Sequence, residues 1–189
     1  MQYILILLLF QIPKDLIPPP GTVRLSENRF IDKQLVTYEG YYEYLDWLQR
    51  NQEEETYIKM LPKDTTILYK NQRLWKNKKY ATAPIAGLEK DQMLAYCQWR
   101  SWAVNYMVSD SSHRTCNFEY WQQFDAVDPL HTLKITYQLP EKADLDKYPA
   151  PKELFWLNET TTQESYPRTV SKKISRPELL VFRCVAVYE

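Results

Sequence analysis

Residues 91–108 read Asp-Gln-Met-Leu-Ala-Tyr-Cys-Gln-Trp-Arg-Ser-Trp-Ala-Val-Asn-Tyr-Met-Val. This stretch decides the fold, because it carries the plainest helical period in the chain. No Gly or Pro interrupts it, and Leu, Met, Ala, Gln and Arg all favour helix. Leu94, Cys97, Ser101, Val104 and Val108 recur at helical spacing and make one inward face. Trp99, Trp102, Ala103 and Tyr106 widen that face into a broad apolar band, which predicts a centrally placed helix. Gly87 marks a turn just before it.

Cys97 sits on the inner face of this helix. Cys184 sits in an apolar segment, residues 179–188, that reads as the closing strand. Helix and last strand are therefore expected to meet, with the two sulfurs marking the place.

The remaining elements follow in order. Residues 22–25 and 30–36 read as strands, and Thr37 as the N-cap of a helix over 38–50. Tyr41, Tyr44, Leu45 and Leu48 form that helix's apolar stripe. Glu53, Glu54 and Glu55 read as a solvated helix end or loop, and residues 67–69 and 73–75 as short strands. Residues 119–124 make a helical turn. Residues 133–139 alternate as a strand, Pro140 opens a short helix over 141–147, and 153–157 is a short apolar strand. Residues 158–176 are polar connection. Few helices, short strands and much irregular chain define an α+β protein.

A chain of 189 residues suits one domain with a substantial core. The formal charge is +0, so no global field draws it toward nucleic acid or an anionic membrane. Lys76, Lys78 and Lys79 lie near Trp75 and Tyr80, but they read as an exposed lysine-bearing turn, not a nucleic-acid patch. With fifteen Tyr and six Trp, large rings must fill the core or crowd the surface. Residues 3–12 are nearly all apolar, too short for the roughly 20 residues of a transmembrane span. The run matches the about 7–15-residue core of a signal peptide. A buried first strand is the alternative, since no Lys or Arg precedes the run. The expected division is a signal-like segment over 1–17 and a domain over 18–189. The expected location is exported: the periplasm or cell envelope, where disulfides are permitted.

Several landmarks fall in a recognisable order: Pro19-Pro-Gly-Thr22, Phe30-Ile-Asp-Lys33, Val36-Thr37, Pro84-Ile-Ala-Gly87, Ala95-Tyr-Cys-Gln-Trp-Arg100, Tyr137-Gln-Leu-Pro140 and Val181-Phe-Arg-Cys-Val185. In this order they resemble the formylglycine-generating enzyme, or sulfatase-modifying factor, family, whose domain also occurs in gliding-motility lipoproteins. The resemblance covers residues 18–188 in fragments. It implies a C-type-lectin-like fold with long irregular loops and a ligand surface built from them. It also implies a disulfide between Cys97 and Cys184; the alternative is a pair of buried thiols.

The departures from the family carry the functional expectation. Its oxidases bind copper through a reactive cysteine pair shortly before the terminal Phe-Arg-Cys segment. Residues 157–183 contain no cysteine here, and Ser or Thr supplies no soft anionic ligand for Cu(I). No catalytic residue is therefore assigned, and neither copper nor another cofactor is expected. His113, Cys116 and His131 are the candidates for a different metal or nucleophilic site, although their spacing specifies neither. Asp125, Asp128, Asp144 and Asp146 are the acids a calcium ion would take. The expected function is a non-catalytic binding or structural domain of the envelope, with a protein or envelope glycan as partner. The alternatives are an enzyme of the family with an altered metal site, and a component of a gliding-motility or secretion apparatus.

Overall fold

A computed structural model describes residues 16–63, 68–69, 72–73, 75–148, 154–155, 164–165 and 181–189. The signal-like run at 3–12 and most of the connection at 158–176 lie outside them. In chain order the elements are β1 (Thr22–Arg24), β2 (Arg29–Asp32), α1 (Tyr38–Asn51), α2 (Glu54–Met60), β3 (Leu68–Tyr69), β4 (Gln72–Arg73), α3 (Lys90–Ser109), α4 (Phe118–Val127), β5 (Ile135–Gln138), α5 (Lys142–Lys147), β6 (Leu154–Phe155), β7 (Glu164–Ser165) and β8 (Val185–Tyr188). The class is α+β: helices beside a four-stranded antiparallel sheet of order β1-β2-β8-β5, with two small ribbons, β3-β4 and β6-β7.

Alternation along the strands gives the sheet two buried faces. Phe30, Ile135, Tyr137, Ala186 and Tyr188 point into the main core with Tyr41, Met93, Tyr96 and Phe182. Ile31 and Val185 point the other way, into a smaller core with Leu35, Ala86, Leu145 and Val181. The last strand lies in the middle of the sheet, with Ala186 opposite both Phe30 and Tyr137.

β5 is a sheet edge, and α3 covers it with side chains that complete its backbone hydrogen bonds. Asn105 accepts from the Ile135 amide at 2.9 Å and donates to the Ile135 carbonyl at 2.8 Å. Ser101 accepts from the Tyr137 amide at 2.7 Å. An open row of donors and acceptors is thereby closed, which removes a template for pairing with another chain.

Thr37 caps α1 as its hydroxyl accepts from the Gly40 amide at 3.2 Å. The Glu89 amide donates to the Gln92 side chain at 2.8 Å, starting α3. Gly87 precedes it at φ +81°, a conformation that glycine adopts without a Cβ penalty. The buried Gln92 amide also donates to the Lys59 and Leu61 carbonyls, tying the end of α2 to α3.

Three readings are corrected. The Glu53–Glu55 region opens α2, a seven-residue helix without a buried residue, so no apolar stripe announced it. Trp102 and Tyr106 are not part of the inward band: they are 46 % and 43 % exposed, while Gln92, Met93 and Tyr96 are buried instead. The second strand stops at Asp32 rather than Val36, and the Asp32 side chain there binds Arg100.

Candidate functional site

α1 and α3 meet through rings. Tyr41 stacks on Tyr96 with centroids 5.7 Å apart, and Tyr44 packs against Trp99 at 5.3 Å. Beside this meeting, the chain leaving β2 forms an opposite wall. Between them lies a cleft of about 480 Å³ lined by Asp32, Lys33, Thr37, Glu43, Tyr96 and Arg100. A second cleft of about 200 Å³ shares Glu43, Tyr96 and Arg100 and passes Trp99, Ala103 and Met107. A third, of about 440 Å³, shares Cys116, Asn117 and Trp121 with the second and ends at Arg114 and Asp125. Neighbouring clefts thus share walls, the first two beside α3 and the third against α4 and the chain that leads into it.

The floor at the first end is an ion pair. Arg100 holds Asp32 at two points, 2.6 and 2.9 Å, and its guanidinium lies 4.2 Å from the Tyr137 ring centroid. Asp32 also accepts from the Cys184 amide at 3.0 Å, and its carbonyl accepts from Arg183 at 3.2 Å. Burial works against the Arg100 charge, but the adjacent carboxylate outweighs it and holds the pKa well above the usual arginine value. Burial likewise pushes the Tyr96 hydroxyl up. Glu43, on the α1 wall, is exposed to solvent; partial desolvation and then the like charge of Glu39 raise its pKa.

The other end is also paired. Arg114 grips Asp125 at 2.6 and 2.9 Å, which pulls that carboxyl below the usual range. The Arg114 guanidinium lies 4.9 Å from the Trp121 ring centroid.

Beside the Arg100–Asp32 pair the Sγ atoms of Cys97 and Cys184 are 3.3 Å apart, both buried. At that separation no S–S bond joins them, since such a bond is about 2.05 Å long, but the two sulfurs are direct neighbours. Burial, then the neighbouring sulfur, pushes the Cys97 thiol well up. α3 thus meets the chain immediately before β8 at these two residues.

His113, Cys116 and His131 do not converge. His113 Nε2 faces the Tyr106 hydroxyl at 2.9 Å and Asp110 at 3.3 Å. His131 Nε2 faces Asp125 at 2.9 Å, and the exposed Cys116 sulfur accepts from the Asn117 side chain at 3.2 Å. Among the described residues no group of three or more His, Cys, Asp or Glu side chains gathers to hold a metal. The acids named for calcium are occupied locally: Asp128 accepts from the Thr132 and Leu133 amides, and Asp144 from Arg29 and the Glu141 amide.

Glu43, Lys33 and Asp32 were not marked by the sequence as site residues. Asp32 and Lys33 stood in a quoted landmark without a role, and Glu39 and Glu43 are like charges four residues apart, a mildly destabilising spacing on a helix.

Compared with protein-family models, with curated proteins and with solved structures, the chain matches none. Among the described residues no helix is long and apolar enough to cross a membrane.

Proposed function

We propose that this chain is a non-catalytic binding domain with a sulfatase-modifying-factor-like, C-type-lectin-like fold, working in the cell envelope. Its ligand occupies the clefts beside α3. The observation that carries this reading is a set of three neighbouring clefts with shared walls, lined among others by Tyr96, Trp99, Met107 and Trp121, with the Arg100–Asp32 and Arg114–Asp125 ion pairs at the two ends. Ligand sites combine apolar walls with a few placed polar groups, and the second cleft does so through Trp99, Met107 and Trp121 beside Glu43 and Arg100. The ordered landmarks of the sequence support the fold assignment, and the absence of cysteine from 157–183 supports the loss of oxidase chemistry. Oxidation of Cys97 and Cys184 to a disulfide in an oxidising compartment belongs to the same proposal.

The test is a cleft-filling variant. Ala103→Trp places an indole in the middle of the second cleft. Wild type and variant are screened against arrays of peptides and envelope oligosaccharides. Binding present in the wild type and lost in the variant is expected. Equal binding by both would remove the clefts as the site. Oxidation of a peptide cysteine by the purified chain would overturn the non-catalytic reading.

A further inference from the structure

We infer that the first cleft takes one sugar unit of a neutral glycan, seated over Gly40, with a sugar hydroxyl bonded to the Tyr96 hydroxyl. The inference rests on the reading of the clefts as the binding site and names the class of ligand.

Tyr96 is the first observation. It is 6 % exposed, and its ring packs against Tyr41, Tyr44, Trp99 and Phe182. Among the described residues no hydrogen bond reaches its hydroxyl. That hydroxyl lies 3.5 Å from the point where a Cβ on Gly40 would stand, and Thr37 Oγ1 lies 3.6 Å from the same point. Tyr96, Gly40 and Thr37 all line the first cleft. The hydroxyl of a buried tyrosine ordinarily has a partner. Nothing in the fold supplies one here, so the cleft is where it comes from.

Gly40 is the second. It stands in the first turn of α1, where alanine would favour the helix more. A Cβ there would meet only ordinary contacts, and the backbone is not left-handed. Neither packing nor conformation asks for glycine. The missing side chain leaves open the space between the Tyr96 and Thr37 hydroxyls. A local rule broken without structural gain is characteristic of functional places.

The remaining lining decides the chemistry. Asp32 and Arg100 close on each other, and Lys33 and Glu43, both exposed, add one charge of each sign. These charges sum to zero, so neither an anion nor a cation is preferred. Thr37 accepts from the Gly40 amide and keeps its own proton to donate. Burial raises the Tyr96 pKa, so that hydroxyl also stays a donor. Gln34 offers both kinds of group, and Glu43 accepts. A ligand whose every polar group both donates and accepts answers such a lining, and a ring of hydroxyls is one. Leu35 and Val36 are the aliphatic members of the described lining, and both are buried, so an apolar peptide side chain finds little surface. At about 480 Å³ the cleft lies within the roughly 300–1,000 Å³ of small-molecule sites.

The experiment uses the full chain and ligand-observed saturation-transfer NMR. The probes are the methyl glycosides of glucose, galactose, mannose and N-acetylglucosamine. Methyl glucuronide and methyl glucosaminide serve as anionic and cationic counterparts. The proteins are wild type, Tyr96→Phe and Gly40→Ala. At least one neutral glycoside is expected to bind wild type more tightly than either charged counterpart. Tyr96→Phe is expected to weaken it about fivefold or more, the loss of one hydrogen bond, with no fall in melting temperature. Gly40→Ala is expected to weaken binding while the melting temperature holds or rises. Full affinity in either variant, tighter binding of a charged counterpart, or no glycoside bound by wild type would overturn the inference. So would a lower melting temperature in Tyr96→Phe, which would reveal a partner for the hydroxyl inside the fold. If no glycoside binds but an array peptide does, and Ala103→Trp loses it, this inference fails and the reading of the clefts stands. If Ala103→Trp loses no array ligand, the reading of the clefts fails instead.

Discussion

Arg100 on α3 and Asp32 at the end of β2 face each other as a two-point ion pair, at 2.6 and 2.9 Å. This pair joins the helix to the sheet and forms the floor of the first cleft, so one contact serves stability and site alike. Asp32 is 6 % exposed and cannot lose its partner cheaply. Arg100→Met is expected to destabilise by about 3 kcal/mol or more, because it leaves a buried carboxylate uncompensated. Urea denaturation of the single variants and of the Arg100→Met/Asp32→Leu pair measures this. Strong coupling is expected, and additive effects would contradict it.

The thiols give a second prediction. Cys116 is exposed, while Cys97 and Cys184 are buried. In reduced, folded protein a thiol reagent is expected to modify Cys116 alone, with the other two reacting only on unfolding. Protein recovered from an oxidising compartment is expected to carry Cys97 linked to Cys184. That bond would close a loop between residues 87 positions apart and stabilise by about 4–5 kcal/mol in the chain-entropy model. Non-reducing peptide mapping reads the linkage directly.

The covered sheet edge gives a third. Asn105→Ala leaves the Ile135 amide and carbonyl without the partners they have at 2.9 and 2.8 Å. A cost of about 1–3 kcal/mol is expected for each group left buried and unsatisfied. Hydrogen exchange at the Ile135 amide should accelerate more than at Phe30 in the sheet interior. Unchanged protection at Ile135 would show that α3 does not guard this edge.

Acid stability gives a fourth. Burial works against the Asp128 charge, but hydrogen bonds from Leu133 and Thr132 outweigh it and hold the pKa below the ordinary carboxylate value. A depressed folded pKa contributes stability that is present above the unfolded value of about 3.9 and is lost as pH falls toward the folded one. Asp128→Asn is expected to be less stable at neutral pH and to lose less on acidification below about pH 4 than the wild type. Parallel acid limbs for the two proteins would contradict it.

The legible part of the fold was local. Thr37 capping α1, the uninterrupted run of α3 and the apolar closing strand all follow from period and punctuation. α2 was hidden because none of its seven residues is fully buried; Tyr57 and Met60 only edge onto the core, and the Gln92 and Tyr41 side chains that hold its end come from other helices. Trp102 and Tyr106 looked like core because hydrophobicity alone counts rings as buried. Instead Trp102 stacks on Tyr106 at 5.3 Å and packs against Trp47 at 4.9 Å, so the rings shield one another on the surface. The site was mostly illegible, since Glu43 and Tyr96 lie 53 positions apart and share a cleft only through the meeting of α1 with α3. His113 and His131 attracted notice as chemistry, yet each is held by partners close to it in sequence.

The central claim is that ligand enters the clefts lined by Trp99 and Trp121 and not the exposed ring cluster of Trp47, Trp102 and Tyr106 beside them. Indole N–H resonances of the isotopically labelled chain test it most directly, during titration with a ligand returned by the peptide and oligosaccharide arrays. Trp99 and Trp121, which line the second cleft, are expected to shift together, while Trp47 and Trp102 stay in place. Movement of Trp47 and Trp102 with Trp99 and Trp121 unchanged would contradict the account.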